Sequence, residues 1–267
     1  MATLPELDVA PLVSDARPVA RAATEVYIRH TRRWLIGLMA HGSALKGGFI
    51  PGCSDVDMQL FLTEDAFDSE GRLPLALGLA IQRDLAGIPL GPFQYIQCYA
   101  RSPRPRDRMV GPIPGAYHMV LGSLPVPEAS AEDLRVSARR TLAGLRPTPD
   151  YIESGLLTYS KPRLERHARL MCTDVWPLIF QVLSLTESDP IAMWRLPKTE
   201  AIAYLPFAMG LRHEAAAFLR AVRDGYAGEQ APERLIAVIA QGITFRAAAA
   251  DWYREQAQTA SAPATRA

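Results

Sequence analysis

Residues Leu35 to Leu62 read LIGLMAHGSALKGGFIPGCSDVDMQLFL, and the fold follows from how this stretch divides. Leu35 to Ala40 is a short apolar run of the length of a buried strand. His41-Gly42-Ser43 interrupts it. Ala44 to Phe49 has room for one or two helical turns before Pro51-Gly52 turns the chain. Asp55 to Leu62 then alternates, with Val56, Met58 and Leu60 set against Asp55, Asp57 and Gln59. A period of two is a strand with one buried face.

The residue types suit one kind of chemistry. A Gly-Ser turn that leaves a strand and opens a helix presents backbone N–H groups and a hydroxyl, which together seat a phosphate. Glycine at Gly42 lets the phosphate come close to the backbone. After eleven intervening residues beyond Ser43, Asp55 and Asp57 stand two apart on a strand and project from the same face. Adjacent carboxylates repel each other unless a cation joins them. Mg²⁺ is the expected occupant, since it takes one or two carboxylates and completes its shell with phosphate oxygens. Val56 and Met58, pointing into the core, fix the pair. A lone Gly-Ser is usually a turn and a lone Asp-x-Asp usually a solvated strand end; the combination at this spacing, with apolar flanks on both strands, is far more specific.

The segment resembles the signature of the polymerase-β-type nucleotidyltransferase superfamily: an apolar run, Gly-Gly or Gly-Ser, about ten residues, then Asp-x-Asp/Glu with apolar neighbours. Within that superfamily it is most similar to the bacterial streptomycin/spectinomycin adenylyltransferases, which carry comparable GSALYGG-like and Ser-Asp-apolar-Asp segments. The resemblance implies that Ser43 contacts the triphosphate and that Asp55 and Asp57 bind Mg²⁺. A weaker likeness covers Trp194 to Ala201, WRLPKTEA, which looks like the family's lysine-bearing turn before a helix. It implies that Lys198 reaches the nucleotide phosphates. Lys46 reads as a residue of the connecting helix, and His41 as one that orders the turn.

Outward from the motif, residues 14 to 33 suit a helix with Val19, Ala23, Val26 and Tyr27 on its apolar face. Leu73 to Leu85 suits a second helix, Phe93 to Tyr99 a third strand, and 117 to 124 a fourth. The proline- and arginine-rich stretch 101 to 114 reads as a loop. Beyond residue 130 helical periodicity takes over, at 130–143, 163–186 with a kink at Pro177, 198–223 and 232–256. In the last, Leu235, Ile236, Ile239, Ile243 and Trp252 are expected to share a face. The organisation expected is an α/β nucleotidyltransferase domain over 1–130, built on a small mixed sheet with flanking helices, then an all-α domain over 131–256 and a disordered Ala/Ser/Thr-rich tail over 257–267.

One position departs from the family pattern. The family places a third carboxylate on the neighbouring strand, where it completes the metal site or acts as general base. Phe93 to Tyr99 contains no acid. Gln94 best matches the position, and Gln97, an odd number of residues away, would face the opposite side. Three readings stay open. The enzyme works with two aspartates and a base from elsewhere (Asp107, Glu165 or the substrate); it binds nucleotide without transferring it; or the third acid lies in another register.

Composition narrows the class. The chain has 267 residues, 49% hydrophobic and 21% charged, with net charge +1, so no overall field draws it to nucleic acid or membrane. Cys53, Cys98 and Cys172 form neither a CxxC pair nor an even set, which favours a reducing compartment. With acidic residues at the N-terminus where a signal peptide would be basic, and no uninterrupted apolar run of about 20 residues, the expectation is a cytoplasmic protein. Three of the 29 basic residues are lysines, Lys46, Lys161 and Lys198. The function expected is transfer of a nucleoside monophosphate, AMP from ATP, to a hydroxyl of a small molecule held in the interdomain cleft. An aminoglycoside-like antibiotic is one such acceptor. The alternative is a catalytically weak relative that binds Mg-nucleotide as a sensor or regulator. A toxin–antitoxin component ranks last, because Arg163 and His167 stand one residue short of the Arg…His spacing of helical RNase toxins.

Overall fold

Strands β1 (Leu35–His41), β2 (Val56–Leu62), β3 (Ile96–Arg101) and β4 (Tyr117–Gly122) form one sheet in the order β3-β2-β1-β4. The structure is a computed structural model that describes residues 6–104, 109–155 and 157–261. β1 is antiparallel to β2 and β4, while β2 and β3 are parallel, so the sheet is mixed. Helix α1 (Ala16–Thr31) precedes it, α2 (Ser43–Lys46) joins β1 to β2, and α3 (Leu75–Leu85) lies between β2 and β3.

Alternation sorts the two faces. Leu38 and Ala40 of β1, Val56, Met58, Leu60 and Leu62 of β2, and Val120 of β4 join one core with Val19, Ala20, Ala23, Val26 and Tyr27 of α1. Val56 and Met58 are fully buried, and removing a side chain of that size from water stabilises by about 1.5–3 kcal/mol. The other face divides along its length. Met39 in its middle and Phe61 at the far end are buried, whereas His41, Asp57 and Gln97 make the other end polar.

The chain divides into two compact units between Ala129 and Ser130. The second contains α4 (Ala131–Ala143), α5 (Asp150–Glu153), α6 (Lys161–Thr186), α7 (Pro190–Arg195), α8 (Lys198–Ala201), α9 (Leu211–Tyr226) and α10 (Pro232–Ser261). Ser130 and Asp133 close a capping box at the start of α4, satisfying two backbone donors reciprocally. α6 runs as one helix through Pro177. α6 and α10 (to Thr259) are long and apolar enough, by length and composition, to cross a bilayer. Each buries an apolar face within its own unit, which a core helix of this length also requires.

Three sequence expectations change here. The helix expected over 198–223 is broken into α8, two short 3-10 turns and α9. Pro206 has no N–H to give, and Met209 and Gly210 both turn to positive φ, 51° and 68°, before α9 begins. In α10 the buried face is Leu235, Val238, Ile239, Phe245, Ala249 and Trp252, while Ile236 is 53% exposed. Finally, α10 continues to Ser261, past the point where order was expected to end; residues 262–267 lie outside the described residues.

Candidate functional site

The strand register builds the site. His41, the last residue of β1, pairs with Asp57 of β2 and with Tyr117 of β4; Asp57 pairs in turn with Gln97 of β3. Directly paired residues point to the same face of a sheet. Tyr117, His41, Asp57 and Gln97 therefore form one row across all four strands. At one end the Tyr117 hydroxyl donates to Glu128 Oε1 over 2.7 Å, and burial and Glu128 push its pKa up to about 12. At the other, Tyr95 donates its hydroxyl to Gln97 Oε1 over 3.1 Å.

Gly42 brings the two halves of the motif into contact. It leaves β1 at φ 68° and ψ −150°, a region that only glycine enters freely. A Cβ at Gly42 would stand 2.1 Å from Asp57 Oδ2 and 3.3 Å from Asp57 Cβ. The Asp57 carboxylate thus lies directly on the turn that opens α2. Ser43 follows as the first residue of that helix and is buried. Lys46 N–H donates to the Gly42 carbonyl over 3.0 Å and Gly47 N–H to that of Ser43, also over 3.0 Å.

Asp55 is positioned from the other side. Ile50 N–H donates to the Ser54 hydroxyl over 2.9 Å, and Ser54 N–H donates back to the Ile50 carbonyl over 2.9 Å. Gly52 N–H donates to the Pro92 carbonyl and Gln94 N–H to that of Ser54, each over 2.8 Å. The loop between turn and strand is therefore tied to itself and to the entry of β3. Asp55 enters β2 one residue before Val56, two before Asp57.

Electrostatically the site is mixed. Burial lowers the His41 pKa to about 4; the Asp55 carboxylate opposes that shift, and Lys46 and Arg101 add to it. His41 is neutral at neutral pH and Asp55, Lys46 and Arg101 all act on it. Among the described residues no group of three or more His, Cys, Asp or Glu side chains could hold a metal ion by itself. Two carboxylates suit a cation that arrives with its own phosphate oxygens, as Mg²⁺ with a nucleotide does.

The structure sets the Gly42-Ser43 turn against Asp57, with Asp55 just ahead of β2. Gln94 precedes β3, its Oε1 buried without a hydrogen-bond partner; the side chain beside Asp57 is Gln97. Lys198 belongs to the second unit, where it opens α8 behind Pro197 with its ammonium 5.0 Å from the centre of the Trp176 ring. Asp107 lies outside the described residues, and Glu165 is on α6. Sequence reasoning missed the row itself, including Tyr117 and Gln97, because pairing between strands leaves no local signal. It also passed over the anchoring role of Ser54, which the Pro-Gly turn just before it could have suggested.

No protein-family model and no curated protein matches the sequence. Among solved structures, a spectinomycin adenyltransferase, AAD(9), from Enterococcus faecialis, determined with ATP and spectinomycin, is similar at 13% identity with a TM-score of 0.48. The match covers 85% of this chain and 98% of that one.

Proposed function

We propose that this chain is a nucleotidyltransferase that moves AMP from ATP to a hydroxyl of a small molecule. The observation that carries the reading is the contact of Gly42 with the Asp57 carboxylate, which joins a phosphate-seating turn to an aspartate pair. Asp55 and Asp57 would hold Mg²⁺, which supplies charge neutralisation at the phosphates. Ser43 and the backbone of its turn would bind the β- and γ-phosphates, and Lys198 would add positive charge to them. The acceptor hydroxyl would attack the α-phosphorus in line, with pyrophosphate leaving. His41, neutral and paired across the strands with Asp57, adds no charge to the site. An aminoglycoside-like antibiotic is the acceptor class that the sequence resemblance suggests.

A second reading, binding of Mg-nucleotide without transfer, is favoured by one observation. The neighbour of Asp57 on β3 is a neutral amide, Gln97, that cannot take a proton from an acceptor. Pyrophosphate release from Mg·ATP across a panel of hydroxylated acceptors separates the two. Acceptor-dependent release that stops in Asp57→Asn supports transfer. Tight Mg·ATP binding without release on any acceptor supports the sensor.

A further inference from the structure

The second unit carries a cleft that the proposed reaction does not use. It has a volume of about 560 Å³ and lies between α5 with its following turn and the first turns of α6. Tyr151, Ser154, Ser160, Arg163, Arg166 and His167 line it, and among the described residues no acidic side chain does. We propose that this cleft binds the phosphoryl group of a small molecule.

Three features support a built site. First, Arg163, Arg166 and His167 are spaced at i, i+3 and i+4, which puts two guanidiniums and an imidazole on one face of α6. Second, Glu165 of α6 is not among the residues that line the cleft, and Glu153 of α5 and Asp174 of α6 are already engaged. Glu153 pairs with Arg146 over 2.9 Å, and Asp174 accepts from the Tyr151 hydroxyl over 3.0 Å and from Arg246 over 3.4 Å. Among the described residues no ion pair engages Arg163 or Arg166. Third, the imidazole is fixed in place. Its centre is 6.1 Å from that of the Tyr151 ring, and a Cβ on Gly155 would come within 2.5 Å of His167 Cε1, so the ring rests on the glycine backbone.

The donor set favours phosphate over carboxylate. A guanidinium fork matches two oxygens of one anion. Two forks with the Ser154 and Ser160 hydroxyls offer more donors than the two oxygens of a carboxylate take, which suits the three terminal oxygens of a phosphoryl group better. Ser160 precedes α6 and makes no capping bond with its hydroxyl. Burial, then Arg163 and Arg166, lower the His167 pKa; Tyr151 is the other titratable group against it. An anion between the arginines removes part of that repulsion and raises the His167 pKa.

The test is an NMR titration of the full chain with inorganic pyrophosphate, in EDTA and at constant ionic strength, following the His167 imidazole assigned with His167→Gln. The expected result is a saturable shift with half-saturation near or below ~1 mM and a higher His167 pKa in the complex. Arg163→Gln and Arg166→Gln, both at exposed positions, should each weaken binding about tenfold, with Arg163→Lys between parent and Gln variant. A shift that grows linearly and is matched by chloride is screening alone and overturns the proposal. So does saturation that both Gln variants preserve. Citrate saturating at lower concentration than pyrophosphate overturns the phosphoryl assignment.

Discussion

Replacing Gly42 with alanine tests the junction on which the site is built. The perturbation is one methyl group. At φ 68° and ψ −150° an L-residue is strained by about 1–3 kcal/mol. The new Cβ would also stand 2.1 Å from Asp57 Oδ2, so the carboxylate must swing aside, and 3.3 Å from Asp57 Cβ, which cannot. The strain appears in stability and the swing in binding. For a unit of this size 1 kcal/mol shifts Tm by roughly 3–5 °C, so thermal unfolding followed by circular dichroism should show a fall of roughly 3–15 °C. Mg·ATP affinity, measured by calorimetry below the lowered Tm, should drop at least about tenfold, because one of two carboxylates has left its place. Asp57→Asn serves as the control, losing binding without the backbone strain. A Gly42→Ala protein that melts with the parent and binds Mg·ATP as tightly would refute the reasoning.

Further expectations follow from the same geometry. Gln97→Glu puts a third carboxylate beside Asp57; in the metal-free protein it should cost about 0.2–1 kcal/mol, and added Mg·ATP should restore part of the loss, whereas Gln94→Glu should show no such metal response. Equal behaviour of the two variants would contradict the register. Lys198→Ala should weaken Mg·ATP binding by about 1.5–3 kcal/mol; unchanged affinity would remove Lys198 from the nucleotide site. His41 has a lower pKa folded, about 4, than unfolded, 6.5. The unfolded chain therefore binds its proton first as pH falls, and the stability present above pH 6.5 is lost progressively between 6.5 and 4. The difference amounts to about 3 kcal/mol. The metal-free His41→Gln variant should lack that component of the acid slope, and denaturant unfolding from pH 7 to pH 4 measures it.

How much the sequence disclosed depended on the range of the interaction. β1, β2 and the turn between them were legible because apolar period, Gly-Ser and Pro-Gly are local features, and α1 and α3 because their apolar faces repeat within a few turns. The sheet face that carries Asp57 was legible for the same reason. The residue beside it was not: Gln94 and Gln97 are both amides near the start of a strand, and only the non-local pairing of β2 with β3 selects Gln97. The helix over 198–223 failed at Met209, a non-glycine residue at positive φ that no propensity favours. Ile236 failed because a one-residue error of phase on a helix turns a side chain by about 100°. In the sequence Arg163 and His167 stand out only as a spacing that falls short of an RNase motif; the cleft they line with Arg166 is assembled by the fold of α5 against α6.

The central claim is that Asp55 and Asp57 hold a metal-bound nucleotide against the Gly42-Ser43 turn. The most direct test is calorimetric titration of Mg·ATP into the parent, Asp55→Asn and Asp57→Asn, with ATP in EDTA as reference and thermal unfolding of each protein beside it. The account predicts Mg²⁺-dependent binding to the parent, a loss of about tenfold or more in each variant, and unfolding temperatures that stay close to the parent's. Binding of Mg·ATP to both folded variants with the parent's affinity would contradict it.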